Sequence, residues 1–455
     1  MKLHALNRRV LSTVMLWGFM TGPATALEDR TAHDPAHKGA AELALVGARI
    51  LPIEGPEIPA GILLVKGGRI QKVGAMDQIP IPASAARIDV QGKVIMPGLV
   101  DTHSHIGGAS GGDASSPIQP DVRLLDSINV RSASFERARA GGITTANLMP
   151  GSGHLMSGQT VYAKLRSAET IDDILIRDKD GRMLGGMKMA NGTNSRRDPP
   201  FPGTRAKSAA LVRAAFLQAQ AYGDKLARPR KEDEKRPERD LGEEALVEIL
   251  DGRRIVHHHT HRHDDIMTVL RLQKEFGFRV VLHHVSEAWK VAHEIAAAGV
   301  PCSIIVVDSP GGKLEARDLR LETGGILEKA GVLVGFHTDD WITDSRLFLR
   351  SAALAVRAGM SRRGALYGLT MAGARMLDLD QRIGSLEPGK DADFIILSGD
   401  PLSITTHVLE TWVEGEKVFD LSDPKDRLLA VGGYGAGEPR GEQEHLEIIQ
   451  GEWTR

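Results

Sequence analysis

The chain has 455 residues, of which 42% are hydrophobic and 25% charged, and its formal net charge is -2. This is an ordinary globular composition with room for one large domain and a smaller one, and it excludes a global field that would draw the chain to nucleic acid or a membrane surface. The single cysteine, Cys302, excludes an intrachain disulfide, so a hydrophobic core must supply the stability.

The chain opens on what reads as an export signal. Lys2, Arg8 and Arg9 make a basic start, residues 10–18 are mostly apolar, and Ala24-Thr25-Ala26 is a small-x-small cleavage pattern. The apolar run falls short of the ~20 residues a membrane span needs. The reading is therefore a cleaved signal over 1–26 and an exported protein, periplasmic or extracellular, with no stable membrane insertion after cleavage. Arg8-Arg9 hints at twin-arginine export, but its surroundings fit ordinary secretion better. Residues 27–41 show no periodicity and read as a loose mature N-terminus. Apolar runs at 44–51, 61–65, 69–73 and 86–95, broken by Gly, Pro and charged turns, predict strands of a small β region over 42–96.

From about residue 96, strand-like runs alternate with helical stretches, the mark of an α/β fold. Strands are expected at 98–101, 144–148, 183–189, 254–259, 279–284, 301–306 and 332–336, and helices at 124–140, 207–222, 264–276, 288–298, 346–358 and 362–376. Fifty glycines suit many tight strand-to-helix turns. The repeated units over 97–380, with no Gly-x-Gly-x-x-Gly turn after an early strand, favour a barrel over an open dinucleotide-binding sheet. Residues 225–240, charge-dense with Pro229 and Pro237, read as a solvated insertion loop. Strands expected at 392–397 and 408–419 can join the N-terminal ones in one small β domain, with its second part at 381–420. A glycine-rich polar tail is expected over 421–455.

Histidines and aspartates gather at the expected strand ends. Met96-Pro97-Gly98-Leu99-Val100 leads into Asp101-Thr102-His103-Ser104-His105. Residues i and i+2 of a strand share a face, so His103 and His105 can present both imidazoles together, a donor type suited to zinc and similar metals. An H-x-H pair by itself is a weak signal. It is joined by Val256-His257-His258-His259-Thr260-His261-Arg262-His263, by Val281-Leu282-His283-His284 and by Phe336-His337-Thr338-Asp339-Asp340. In a barrel, the C-terminal ends of several strands converge on one site. A surface histidine tract that scavenges metal would not place every run directly behind a strand. Strand alternation groups His257, His259 and His261 on one face and His258 on the other, and it separates His283 from His284. It does not say which face is inward.

Asp101 to His105, preceded by Pro97-Gly98, resembles the first-strand motif of the amidohydrolase superfamily. Gly384-Ser385-Leu386-Glu387-Pro388-Gly389-Lys390-Asp391-Ala392-Asp393 resembles its closing signature, G-x-x-x-x-G-K-x-A-D, and the similarity runs from about 42 to 420. Gly142-Ile143-Thr144-Thr145, Pro150-Gly151-Ser152-Gly153, Gly186-Met187-Lys188-Met189-Ala190 and His261-Arg262-His263-Asp264-Asp265-Ile266 resemble segments of the imidazolonepropionase-like exported branch. The resemblance implies a distorted (β/α)8 TIM barrel with a composite β-sandwich built from both chain ends. It implies a divalent metal, zinc before iron or manganese, as one or two ions on His103, His105, His259, His284 and Asp339. In two-metal members a strand-four lysine is carboxylated and bridges the ions, and Lys188 matches it. The alternative is a lysine that bonds a substrate carboxylate or a nearby acid. Asn191-Gly192-Thr193-Asn194 departs from the Glu-Asn pair more usual in that loop.

The implied reaction is cleavage of a C–N amide bond by metal-activated water, with Asp339 as general base and then acid. His261 is a candidate donor to the oxyanion, or a residue orienting a ligand. Arg262, Asp264 and Asp265 fit the start of a helix and need no catalytic role. The expected partner is a small-molecule amide, dipeptide-like, N-acyl amino acid or cyclic, and not nucleic acid; a homo-oligomer is left open. One rival is a mononuclear deaminase, which usually pairs the strand-five histidine with a nearby glutamate that 260–266 lack. The other is a catalytically inactive barrel kept as a binding protein, which typically loses ligands that this chain retains.

Overall fold

The computed structural model describes residues 42–108, 112–229, 237–307, 313–340 and 342–432. The expected signal (1–26), the stretch 27–41, the middle of the charged run (230–236) and the end of the tail (433–455) lie outside the described residues. The described chain begins with β1 (Leu43–Ile50), β2 (Ile58–Lys66), β3 (Arg69–Ala75), β4 (Ala86–Asp89) and β5 (Val94–Pro97). The run expected as one strand over 86–95 is two. Lys93 N donates to Val90 O at 3.1 Å, an ordinary turn bond, and β4 and β5 pair with different ends of β1.

The barrel starts with β6 (Leu99–Ser104), α1 (Ala133–Ala140) and β7 (Ile143–Leu148), the two strands parallel. Two short consecutive strands follow, β8 (Met156–Gln159) and β9 (Val161–Lys164), in different sheets. β9 pairs antiparallel with β7 and β8 with β10 (Met187–Ala190), so this segment stands between two parallel blocks. Four-residue strands carry too little periodicity to be legible beforehand. The second block is completed by α2 (Arg205–Ala227), α3 (Leu241–Leu250), β11 (Val256–Thr260), α4 (His263–Phe276), β12 (Val280–His284), α5 (Ala292–Ala298), β13 (Cys302–Ile304), α6 (Thr323–Lys329), β14 (Val334–Phe336), α7 (Phe348–Arg357), α8 (Arg362–Gly368) and α9 (Met371–Met376). Strands β10 to β14 form one parallel ladder, and a parallel bridge between Ser104 and Asp340 carries it back towards β6. This is a distorted TIM barrel.

Its helices follow local chemistry. In α4, Asp264 and Asp265 occupy the first turn, Ile266, Val269, Leu270 and Phe276 form the buried stripe, and Gly277 ends it at φ 73°. The helix expected over 124–140 is instead a short 3-10 turn, Leu124–Ser127, and α1. Ser132 caps α1 from an extended backbone, which ends any continuous helix there. The helix expected over 362–376 is likewise two, broken where Thr370 leaves helical geometry. Helix α3 was not expected. Asp240 caps it by accepting from Glu243 N, and Ala245, Leu246 and Ile249 are its buried face.

The chain closes with β15 (Phe394–Leu397), β16 (Val408–Val413), β17 (Glu416–Asp420) and α10 (Pro424–Val431). The strand expected over 408–419 is a hairpin that turns at Glu414-Gly415, both left-handed. Helix α10 occupies part of the expected tail, with Asp423 as its cap and Pro424 at its first position. β15 pairs antiparallel with β5, so both chain ends share one sheet in the order β17-β16-β15-β5-β1-β2-β3, with β4 beside β1. Leu45, Ile50, Leu63, Val65, Phe394, Ile396 and Trp412 form the core of this sheet. Among the described residues, no helix is long and apolar enough to cross a membrane.

Candidate metal centre

Strand ends of the barrel deliver the histidines to one place. His103 Nε2 lies 3.2 Å from His105 Nε2, and Asp339 Oδ1 lies 3.3 and 3.0 Å from these two atoms. Lys188 Nζ, from β10, is 3.0 Å from His103 Nε2 and 3.2 Å from Met149 Sδ. His284 Nδ1 is 3.9 Å from Asp339 Oδ2. The His259 ring centroid is 4.4 Å from that of His284 and 4.7 Å from that of His261. The structure thus brings all six expected ligands and His261 into one cluster. Only His105 and Asp339 keep appreciable exposure, 13% and 17% of their side chains, which marks the open side.

The neighbouring backbone sets this geometry. Asp101 accepts from Thr338 N at 3.0 Å and from His103 N at 3.2 Å, and Asp339 N donates to His103 O at 2.9 Å. These bonds lock the first and last strand ends together. His105 Nδ1 pairs with Met149 O at 2.7 Å, which leaves its Nε2 aimed at Asp339. His261 Nδ1 pairs with Ser286 Oγ at 2.8 Å, and its ring stacks on His284.

One expectation fails here. Alternation puts His283 and His284 on opposite faces, yet both rings pack against His103, at centroid distances of 5.0 and 4.9 Å. His284 and Val285 are left-handed, at φ 68° and 44°, which swings the second imidazole back towards the first. Asp339 is left-handed too, at φ 50°. Non-glycine residues held in this region are strained, and such strain gathers at functional sites.

A second layer supports the first. Tyr162 OH pairs with His257 Nε2 at 2.9 Å, and His257 Nδ1 with His283 Nε2 at 3.0 Å. Only glycine at 186 leaves room for this ring, since a Cβ there would stand 2.3 Å from His257 Cδ2. His258 turns away and pairs with the His259 carbonyl. His337 stacks on His103 and pairs with Ser303 Oγ at 2.8 Å and with His284 Nδ1 at 3.1 Å. Sequence reasoning did not assign His337, although the i, i+2 rule that selects Asp339 selects it as well. It also left out Glu315, a buried carboxylate with an oxygen within 4.8 Å of nitrogens of His259 and His261. No local pattern marks a lone glutamate on a loop.

Burial governs protonation throughout. It pushes Lys188 down to about 7 and His261 and His337 down to about 3, so the imidazoles stay in the neutral form that binds metals. It pushes the Asp101 carboxyl up to about 7 against the hydrogen bonds from Thr338 and His103. Burial also opposes ionisation of Asp339, but the hydrogen bond and charge of His105 hold it below the ordinary carboxylate range.

The donor set fits a cation. His103 Nδ1, both ring nitrogens of His259, His261 Nε2, His283 Nδ1 and His284 Nε2 are buried without a hydrogen-bond partner. Buried polar atoms are normally paired, and imidazole nitrogens facing a carboxylate are the ligands of zinc and similar ions.

Comparison with known proteins agrees with the site. A solved amidohydrolase from Thermotoga maritima superimposes with a TM-score of 0.77 at 33% identity, covering 83% of this chain and 100% of that one. The chain belongs to the amidohydrolase superfamily. A profile of the amidohydrolase family matches residues 245–419 of this amidohydrolase. The amidohydrolase tasK of Hapsidospora irregularis is 27% identical over 404 residues, 81% of this chain but only 41% of that protein's length. A 5-methylthioadenosine/S-adenosylhomocysteine deaminase of Symbiobacterium thermophilum is 23% identical over 411 residues, 80% of this chain and 86% of that protein. The imidazolonepropionase of Pseudomonas paraeruginosa is 27% identical over 380 residues, 73% of this chain and 86% of that protein, which places the amidohydrolase in the imidazolonepropionase-like branch.

Proposed function

We propose that this amidohydrolase cleaves a C–N amide bond of a small molecule, dipeptide-like, N-acyl amino acid or cyclic, with a divalent metal as cofactor and zinc as the first candidate. The convergence of His103 Nε2, His105 Nε2 and Asp339 Oδ1 within 3.3 Å supports the reading. These side chains would hold one ion, and His259 and His284 a second. Lys188, buried and 3.0 Å from His103, would bridge the ions as a carbamate formed from its neutral amine and carbon dioxide with loss of a proton. The cation would supply Lewis acidity to the carbonyl and a more acidic water. Asp339 takes the proton of the attacking water and hands it to the leaving nitrogen. His261, fixed through Ser286, presents Nε2 to the carbonyl oxygen.

The test is a panel of dipeptides, N-acyl amino acids and cyclic amides offered to protein of measured metal content. Turnover lost on chelation and restored by zinc, iron or manganese supports the proposal. Metal-loaded protein that hydrolyses nothing in the panel overturns it in favour of a binding role. The deaminase relative favours a second reading, hydrolytic deamination at a single metal. Free ammonia as the product, with one ion per chain, selects it. A carbamate resonance after incubation with isotopically labelled bicarbonate tests Lys188.

Export belongs to the same proposal. It is supported by Lys2, Arg8, Arg9, the apolar run 10–18 and Ala24-Thr25-Ala26. A mature N-terminus at or near residue 27 in protein recovered outside the cytoplasm checks it.

A further inference from the structure

We propose that His261 and Glu315 join His259 in a cation site distinct from the His103–His105–Asp339 set, so that the second ion is held by these three residues together with His284. The inference rests on the metal-dependent reading above and adds two ligands to it, His261 Nε2 going to the ion in place of the carbonyl oxygen. One donor atom from each of the three residues lies within 4.8 Å of the others, and all three residues are buried. Their free atoms face no competing partner. Both ring nitrogens of His259, His261 Nε2 and Glu315 Oε1 are buried without a hydrogen bond.

The rest of each side chain is held in place. His261 Nδ1 pairs with Ser286 Oγ at 2.8 Å. Glu315 comes from the turn Leu314–Ala316, after β13, and its Oε2 accepts from Thr193 N at 2.8 Å and stands 3.8 Å from Arg205. One oxygen of the carboxylate is thus anchored and the other is left for a ligand. A buried carboxylate that only braced the 193 loop would not need an oxygen within 4.8 Å of a nitrogen of His259 and a nitrogen of His261. Histidines joined by one glutamate are a ligand set that binds zinc. Side chains fixed at their far atoms coordinate with little loss of freedom.

The experiment measures metal content and affinity in the full chain with zinc, and the visible spectrum after cobalt(II) substitution. Wild type is expected to hold two ions. Glu315→Gln and His261→Asn are each expected to keep one, to bind the second at least about tenfold to a hundredfold more weakly, and to lose part of the cobalt absorption. His105→Asn should lose the other ion and keep this one. Circular dichroism checks folding, and His261→Asn carries the test should Glu315→Gln fail to fold. Two ions of unchanged affinity in both variants, or a single ion in wild type, overturn the inference and leave metal dependence standing. A wild type that takes no ion overturns both.

Discussion

Two regions of this molecule bury charge and polarity, and they treat their polar atoms in opposite ways. The first is the seam between the barrel and the composite sheet. There Lys164, fully buried on β9, lies between Asp391, at 2.8 Å, and Asp393. Arg166 meets both oxygens of Glu414 at 2.7 and 2.8 Å, and Arg382 bonds Asp391 and Glu414. Every carboxylate of the network meets a cation. The closing signature G-x-x-x-x-G-K-x-A-D thus works through Asp391 and Asp393 as a clamp between the two parts. The second region is the histidine cluster, where six ring nitrogens have no partner. An unpaired buried polar group costs about 1–3 kcal/mol. A fold that tolerates so many in one place is built for something that binds there, whereas paired groups serve the fold itself.

The largest expected effect tests the cluster. Asp339→Asn keeps the shape of the side chain and removes its basicity. It should lower kcat by about 100- to 10,000-fold while leaving the melting temperature nearly unchanged. Activity close to wild type would remove the cluster from the chemistry.

The next tests the seam. Lys164→Met leaves two buried carboxylates short of their shared cation and should cost about 3–5 kcal/mol in urea denaturation. The folded fraction should turn over substrate normally. A variant that is fully stable yet inactive would reverse the roles assigned to the two regions.

A smaller effect is expected where one region supports the other. Tyr162→Phe removes the hydroxyl that pairs with His257 at the base of the cluster. A loss of about 1–2 kcal/mol of stability is expected, with a lesser change in metal affinity. A variant whose stability and affinity both match wild type would make the second layer mere filling.

The smallest concerns pH. Glu287 follows β12 at the rim of the cluster. Burial would raise its pKa, but hydrogen bonds from His263 and Lys290 hold it at about 2. A folded value below the ordinary 4.5 means stability that is present above pH 4.5 and lost as pH falls towards 2. Glu287→Gln should flatten the pH dependence of stability in that window, and an unchanged slope would show that this carboxylate is not coupled to folding.

Much of the site was legible because its candidate donors sit in short runs behind apolar strands. His103-x-His105, the run from His257 to His261 and the His337–Asp339 pair each carry their own local mark, and the α/β alternation pointed to a barrel. Helices such as α4 could be read from their first-turn acids and buried stripe. Helices α3 and α10 had caps in view, Asp240 and Asp423 with Pro424, but α3 follows directly on the run read as a loop and α10 lies in the expected tail. Strands β8 and β9 were too short to show a period.

What only the tertiary structure decided is whatever depends on residues far apart in the chain or on a backbone that leaves its regular path. The left-handed turn at His284 overrode strand alternation, because a single φ of the opposite sign redirects a side chain without altering any sequence pattern. Lys164 and Asp393 are 229 residues apart, and neither announces the other. Glu315 has no motif at all, and it reaches the cluster only because the turn after β13 folds over Gly192 and Thr193. The sequence by itself determined the class of fold and the kind of donor gathered at the strand ends, since both follow from short-range periodicity. Which of those donors face one another, and which are left without partners, followed from closure of the barrel, a long-range event that brings separate strand ends within bonding distance.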